Sequence, residues 1–382
     1  MPELPEVETI ARDLRALVVG RTITGVRTDW PRMVAYPDLA DFVAGLHGRR
    51  VAHVWRRAKW LLLDLDGGGV LAIQVRMTGQ LFVVPAERPA DRHVHLVIDL
   101  DDGRQLRLRD MRKFARVGLY RRDALGRVVS ERRGPDGIDG SVDLFARHGP
   151  EPLAPDFTLA QFRERLHARR GRLKSLLLDQ SFLAGVGNIY ADEALWRARL
   201  HPLRTVARLR PGDEARLYGA LREVLAEAVA RRGSSIDDYT APSGDGEMQG
   251  YLRAYQRTGL PCLRCGRPMR RITVGQRGTH FCSWCQRLPA ADRTGVAGLL
   301  ALARGNAGEA VRRGPRWSEL PGEGALGLTP SEAAMAAARA RTGTPAVGGK
   351  TGTEALRALA SAARTRRAAA TRRRAARDGA GA

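Results

Sequence analysis

No run of about 18 apolar residues occurs anywhere in this chain, so no segment is expected to span a membrane as a helix. The opening, MPELPEVETI, lacks the basic and then apolar order of a secretory leader, and a cytoplasmic protein is expected. Cysteine is scarce: four residues, all between Cys262 and Cys285. Scattered pairs would point to disulfides, whereas one tight cluster in a cytosolic chain points to metal. Acid falls short of base, with 41 Asp+Glu against 64 Lys+Arg and a net charge of +23. Arginine far outnumbers lysine, as a GC-rich genome favours, but that bias does not explain an excess of this size. A polyanion, nucleic acid, is the leading partner.

What is present divides into textures. VETIARDLRAL sets Val7, Ile10, Leu14 and Leu17 at helical spacing. VAHVWRRAKWLLLDLD, GVLAIQVRMTGQLFVV, HVHLVIDL and RQLRLRDMRKFARVGLY then read as strands, with Asp102-Gly103 a hairpin signal between the last two. An antiparallel sandwich or barrel is predicted over 1–132, followed by a polar, glycine-rich linker over 133–152. From Thr158 the texture turns helical (TLAQFRERLHARR, LKSLLLDQSFL, NIYADEALWRARL), and the last helix carries Leu217, Leu221, Val224, Leu225 and Ala228 on one face before Gly233. This helical domain is placed at 153–235, and a loop with the cysteine module at 236–288. The Ala/Arg-rich tail, 289–382, is expected to be mostly disordered, with transient helix around Glu332–Arg341 and Glu354–Arg374.

CLRC and CSWC, Cys262/Cys265 and Cys282/Cys285, stand sixteen residues apart. Each CxxC turn presents two thiolates, and two such turns complete the tetrahedron of a zinc ribbon, one structural Zn2+ per chain. A redox pair is the weaker reading. Between the pairs, RITVGQRGTHF is a hairpin whose tip projects Gln276 and Arg277, suited to phosphate. In AGVGNIYADEA, glycines open a helix whose free amides can hold a phosphate, with basic ARRGRLK upstream. Met77 in MTG, and Arg112 and Phe114 in DMRKFARV, are residue types that wedge into a base stack; on type alone Met77 and Phe114 read as core. Lys59 in RRAK is a solvated edge residue or a positioned proton or phosphate ligand. His93 and His95 alternate with valine and so share a side, weak grounds for any role.

Taken together, MPELPEVE, RRAK, MTGQL, DMRKF, GPEPL, LLDQSFLAGVGNIYADEALW and YQRTGLPCLRCG…GQRGTHFCSWCQ occur in the order seen in the formamidopyrimidine-DNA glycosylase family, which the chain resembles from residue 1 to about 287. The resemblance implies a multidomain α+β protein: an N-terminal antiparallel β-sandwich with a leading helix, a helix–two-turns–helix domain and a C-terminal zinc ribbon. It also gives the acidic opening a purpose. The resemblance implies that Met1 is removed and that Pro2 becomes the nucleophile, an α-amine that titrates well below lysine and whose attack gives an iminium directly. On the same resemblance Glu3 is the neighbouring general acid/base, and Glu6 is similar to a second family carboxylate that organises the site. Lys59 resembles the family's proton donor for β-elimination, and Arg277 the arginine of δ-elimination. Met77, Arg112 and Phe114 match the trio that fills the gap left by a flipped nucleotide. His93, Arg112, Arg169 and Asn188 match phosphate-holding positions. The implied activity is excision of oxidised purines, 8-oxoguanine and formamidopyrimidines, from double-stranded damaged DNA, followed by strand cleavage.

Gln74 stands where relatives often carry histidine, Arg76 where some carry glycine, and Arg169 where a lysine is usual. The tail has no counterpart in the pattern; its arginines add nonspecific DNA affinity or none. A monomer, cytoplasmic and associated with the nucleoid, is expected. The rivals are the endonuclease VIII branch, which takes oxidised pyrimidines, and a zinc-ribbon DNA-binding protein without chemistry. Leu4 with PEVE, and the loop from Ser234 to Tyr255, favour the purine branch over the first; intact Pro2, Glu3 and Lys59 argue against the second.

Overall fold

The computed structural model describes residues 2–134, 137–234 and 246–301, with 132–134 and 137–139 described as backbone only. Residues 235–245 of the loop from Ser234 to Tyr255 and 302–382 of the tail, with its two expected helical stretches, lie outside the described residues. The chain divides into two units, Met1–Gln249 and Gly250–Ala382.

The first unit opens with helix α1 (Leu4–Val18). Pro5 sits in its first turn, where a missing N–H costs nothing, and Leu4, Val7, Ile10, Ala11, Leu14 and Val18 bury one face. There follow β1 (Ile23–Thr28), β2 (Val34–Tyr36), α2 (Leu39–Leu46), β3 (Val51–Arg57), β4 (Trp60–Leu65), β5 (Gly69–Gln74), β6 (Gly79–Pro85), β7 (Val94–Leu100), β8 (Arg104–Asp110), β9 (Arg116–Arg122), β10 (Val128–Gly134) and β11 (Gly137–Asp143). One sheet runs β1-β7-β8-β6; the other runs β11-β10-β9-β5-β4-β3, with β2 parallel to β9. Ile23, Leu81, Leu96 and Leu108 from the first sheet meet Val54, Leu61, Leu71 and Val117 from the second, with α1, in one buried core. This is the expected sandwich. Gly103, at φ 78°, closes the β7–β8 hairpin as Asp102-Gly103 predicts.

The stretch expected to be a linker from 133 differs: β10 and β11 form a hairpin, with Glu131 opposite Ser141 and Gly134 opposite Gly137. Its Gly/Asp composition is that of a tight hairpin turn as much as of a tether. In the helical part, α3 (Leu159–His167), α4 (Leu173–Leu178), α5 (Asn188–Arg197) and α6 (Pro211–Ala230) appear. LKSLLLDQSFL is helical only to Leu178, because the Asp179 carboxylate accepts the Ser181 N–H at 2.8 Å and turns the chain. On α6, Leu217, Leu221, Val224, Leu225 and Ala228 are buried as predicted.

In the second unit, β12 (Arg270–Val274) and β13 (Arg277–Phe281) form a two-stranded hairpin. Its turn residues Gly275 and Gln276 both have positive φ, 53° and 61°. Described structure continues past 289, where the tail was expected to begin: Ala290–Asp292 form a helical turn and Val296 is buried. Among the described residues no helix is long and apolar enough to cross a membrane.

Candidate active site and metal centre

Three segments of the first unit converge on the residues that open the chain. The Leu4 N–H donates to the Gly185 carbonyl at 3.0 Å, tying the start of α1 to the GVGN turn. Gly185 has φ +84°, and a Cβ there would lie 2.7 Å from the Leu4 Cβ, so both conformation and space demand glycine. Pro2 is buried, as are Glu3 and Glu6, each 2 % exposed. The Glu3 carboxylate accepts the Ile189 N–H at 2.8 Å and, at 3.4 Å, the Tyr190 N–H. These are the first-turn amides of α5, so the helix end expected to hold a phosphate holds a carboxylate of the same chain. The physics is unchanged, with free amides and a helix dipole drawing an anion; only the anion differs.

Glu6 ties the cluster together. Its Oε2 accepts the Glu3 N–H at 2.8 Å, while its Oε1 takes the Tyr190 hydroxyl and the Ser234 N–H, the latter at 2.8 Å. One carboxylate thereby joins the backbone next to Pro2, helix α5 and the segment that follows α6. Burial raises the Glu3 carboxyl above its ordinary value; the Lys59 ammonium opposes this and Glu6 adds to it. Burial, with Glu6 next, pushes the Tyr190 hydroxyl well above its ordinary value, so it stays a donor. Pro2, Glu3, Glu6 and Lys59 therefore lie in one unit, with Lys59 acting on Glu3 from the β3–β4 turn. A shielded carboxyl of raised affinity for its proton, next to Pro2, is an arrangement for general acid/base work.

Met77, Arg112 and Phe114 are also brought together. Arg112 Nη1 lies 3.3 Å from Met77 Sδ, and its Cζ lies 4.7 Å from the centre of the Phe114 ring. Phe114 is 45 % exposed, so the core reading from residue type fails for it. Asp110, fully buried, builds this loop by accepting the Thr78 hydroxyl at 2.5 Å and the N–H groups of Arg112, Phe114 and Ala115 at 3.2, 2.7 and 2.8 Å. Of the expected phosphate ligands, His93 is half-buried just before β7, whereas His95 turns inward, 2 % exposed, onto Asp29 at 2.8 Å. A register shift in β7 between Val94 and Leu96 separates the two histidines expected on one side. Arg169 donates to Ser181 Oγ at 3.3 Å. The Asn188 carbonyl accepts from Lys174, whose ammonium is fully buried 2.7 Å from Asp192. Asp110, Lys174, Tyr190 and Ser234 were not singled out from the sequence. An aspartate opening a short turn was the one available signal, for Asp110.

In the second unit, Cys262, Cys265, Cys282 and Cys285 offer four sulfurs all within 4.8 Å of one another. Sγ separations of 4.0 Å (Cys262–Cys285) and 3.5 Å (Cys265–Cys282) are too long for disulfides and match the roughly 3.8 Å edge of a tetrahedron built on 2.3 Å Zn–S bonds. The donor set fits zinc, all four positions are protein ligands, and the metal is structural. Gln276 and Arg277 are exposed at the hairpin end as predicted. On the same ribbon, Arg267 and Arg287 lie over the ring of exposed Trp284, their Cζ atoms 3.9 and 4.1 Å from its centre.

The comparisons with known proteins follow the same three parts. The formamidopyrimidine-DNA glycosylase N-terminal domain matches residues 1–117, the formamidopyrimidine-DNA glycosylase H2TH domain 148–240, and the zinc finger found in FPG and IleRS 259–288. The formamidopyrimidine-DNA glycosylase of Chloroflexus aurantiacus is 49 % identical over 288 residues, 75 % of this chain and 98 % of its own. The MutM (Fpg) protein of Thermus thermophilus superposes with a TM-score of 0.64 at 43 % identity, over 75 % of this chain and 98 % of that one. Lactococcus lactis Fpg, solved with abasic-site DNA and, as a mutant, with Fapy-dG DNA, gives 0.68 at 35 % identity over 75 % and 100 %. With the sandwich, the helical domain and the four-cysteine ribbon all matched in order, the chain belongs to the formamidopyrimidine-DNA glycosylase family of DNA glycosylases with AP lyase activity.

Proposed function

We propose that this enzyme removes oxidised purines, 8-oxoguanine and formamidopyrimidines, from duplex DNA through a Schiff base on Pro2 and then cuts the strand by β,δ-elimination. The observation that carries the reading is the buried Glu3–Glu6 pair, which fixes the backbone beside Pro2 against the first-turn amides of α5. Once Met1 is removed, the uncharged Pro2 amine attacks C1′ with its lone pair. The C1′–base bond breaks, and the proton that the attacking amine gives up leaves with the base, so the nitrogen regains its lone pair. Glu3 supplies a proton to the ring oxygen as the sugar opens, and the nitrogen–C1′ iminium remains. That iminium is the electron sink for loss of the C2′ proton and the 3′ phosphate, in which Lys59 is the proton donor. Arg277 serves the second elimination. The Lactococcus relative's complex with Fapy-dG DNA supports the purine reading, and its complex with abasic DNA the lyase half.

Met77, Arg112 and Phe114 enter the gap left by the flipped nucleotide, unstacking being easiest at a damaged pair. His93, Arg169 and Asn188 hold phosphates. The enzyme acts as a monomer in the cytoplasm, on nucleoid DNA. Borohydride trapping on duplexes containing either 8-oxoguanine or an oxidised pyrimidine tests this. A covalent adduct on the 8-oxoguanine duplex, lost in Pro2→Gly or when Met1 is retained, is expected. Trapping only on the pyrimidine duplex would move the chain to the endonuclease VIII branch, and DNA binding with no adduct would make it a scaffold without chemistry.

A further inference from the structure

The turn that presents Lys59 is strained and clamped from elsewhere in the sequence. Ala58, 1 % exposed, has φ +54°, the left-handed region that L side chains avoid. Such a conformation persists only where surrounding contacts impose it. Here they come from Glu151, the glutamate of the GPEPL segment, to which no role is attached. Its Oε1 accepts the Ala58 N–H at 2.6 Å and Arg57 Nη1 at 2.9 Å, and its Oε2 pairs with Arg56 Nη1 at 2.8 Å. Arg57 Nη2 also donates to the Gly149 carbonyl at 2.8 Å, and Arg56 Nη1 to the Ala58 carbonyl at 2.9 Å. One carboxylate, carried on the segment between β11 and α3, thus grips both arginines and the amide of RRAK. The next residue is Lys59, whose ammonium acts on buried Glu3.

We propose that Glu151 is a positioning residue for Lys59: it holds Ala58 in the left-handed conformation that aims the lysine at the Glu3 site. This rests on the role given to Lys59 above. A carboxylate that merely joined the two segments would leave Lys59 indifferent to the backbone preference of residue 58. A positioning clamp makes that preference decisive, because glycine adopts φ +54° unaided.

The test uses the full chain and an abasic-site duplex, with single-turnover nicking and borohydride trapping measured on the same preparations. Glu151→Ala is expected to slow nicking on the order of tenfold to a hundredfold while trapping proceeds, the cost of a misaimed proton donor. Adding Ala58→Gly is expected to restore most of the rate. Glu151→Gln, which keeps the volume and an acceptor and so folds even where Glu151→Ala does not, is expected to show a smaller slowing and the same rescue. Wild-type nicking by both Glu151 variants, with Lys59→Met slow, overturns the proposal alone. Slowed nicking that Ala58→Gly leaves unrescued also overturns it. Normal nicking by Lys59→Met overturns the reading of Lys59 and the proposal with it.

Discussion

The Glu3 carboxylate accepts the Ile189 N–H at 2.8 Å, joining two residues 186 apart in sequence into one buried unit at the N-terminus of α5. The helix end stabilises the ionised carboxylate, and burial disfavours it more. The balance leaves a group whose affinity for its proton exceeds that of an exposed glutamate, as a general acid requires.

That balance has a stability signature. A carboxyl whose folded pKa is raised holds its proton better in the fold, so ionising it costs stability as pH rises through the raised value. Below the ordinary carboxylate range, about pH 4, no cost exists because both states are protonated. Glu3→Gln keeps an oxygen for the Ile189 N–H and cannot ionise. It is expected to melt above wild type near neutral pH, with the gain vanishing in acid. Base excision should fall on the order of 10²- to 10⁴-fold with the acid lost. Melting curves across pH, paired with excision rates, check both; a variant no more stable than wild type near neutrality would contradict the sign.

Gly187 offers a steric probe of the same carboxylate. Its φ of −135° suits any residue, yet a Cβ there would collide with the Glu3 carboxylate carbon. Gly187→Ala is expected to destabilise by about 1–3 kcal/mol, as overpacking does, and to slow excision on the order of 10²-fold by displacing Glu3. Gly212→Ala, where the added methyl would meet only the Arg216 guanidinium at 3.7 Å, is the control and should do neither.

How far these relationships were legible from sequence depends on their range. The face of α1, the Asp102-Gly103 hairpin, the α6 stripe and the zinc ribbon are all local or evenly spaced, and composition with periodicity revealed them. The Glu3–Ile189, Glu6–Tyr190 and Glu6–Ser234 contacts join segments far apart in sequence, and no spacing rule anticipates them. GVGN was recognised as an anion site, but nothing local says that the anion is Glu3. The β10–β11 hairpin read as a linker because glycine and aspartate serve turns and tethers alike. Residue type placed Phe114 in the core; only the Asp110 turn, with its buried carboxylate, turns that ring outward.

Asp110 is therefore expected to matter for both fold and DNA distortion. Its removal in Asp110→Ala strands the Phe114 and Ala115 amides, which it receives at 2.7 and 2.8 Å, and leaves the Thr78 hydroxyl without its acceptor. Losing a buried acceptor of this kind costs about 2–4 kcal/mol, readable as a lower urea midpoint. Below that unfolding threshold the loosened loop should fail to insert Phe114. A 2-aminopurine placed opposite the lesion would then brighten less on binding than with wild type. Equal brightening would mean that the trio inserts without this anchor.

Metal removal separates the two units. The ribbon matched by the zinc-finger family spans residues 259–288, below the roughly 40 residues at which a domain dispenses with metal or disulfides. Its small core includes Met269, Ile272 and Phe281. Between 250 and 301 the sequence carries nine arginines and one acid, Asp292, which is buried, so an ordered ribbon presents concentrated positive charge. A chelator is expected to release one zinc per chain and to expose the β12–β13 amides to hydrogen exchange. DNA affinity should then fall with a shallower salt dependence, by about 0.9 in slope for each phosphate that the ribbon no longer neutralises. Trapping at saturating abasic DNA should persist, because Pro2, Glu3, Glu6 and Lys59 belong to the first unit. Hairpin amides that stay protected after zinc loss would mean the apolar packing alone holds β12 against β13. With the ion gone, the four sulfurs gathered within 4.8 Å lose the one partner that ties both CxxC turns together, which makes that outcome the unexpected one.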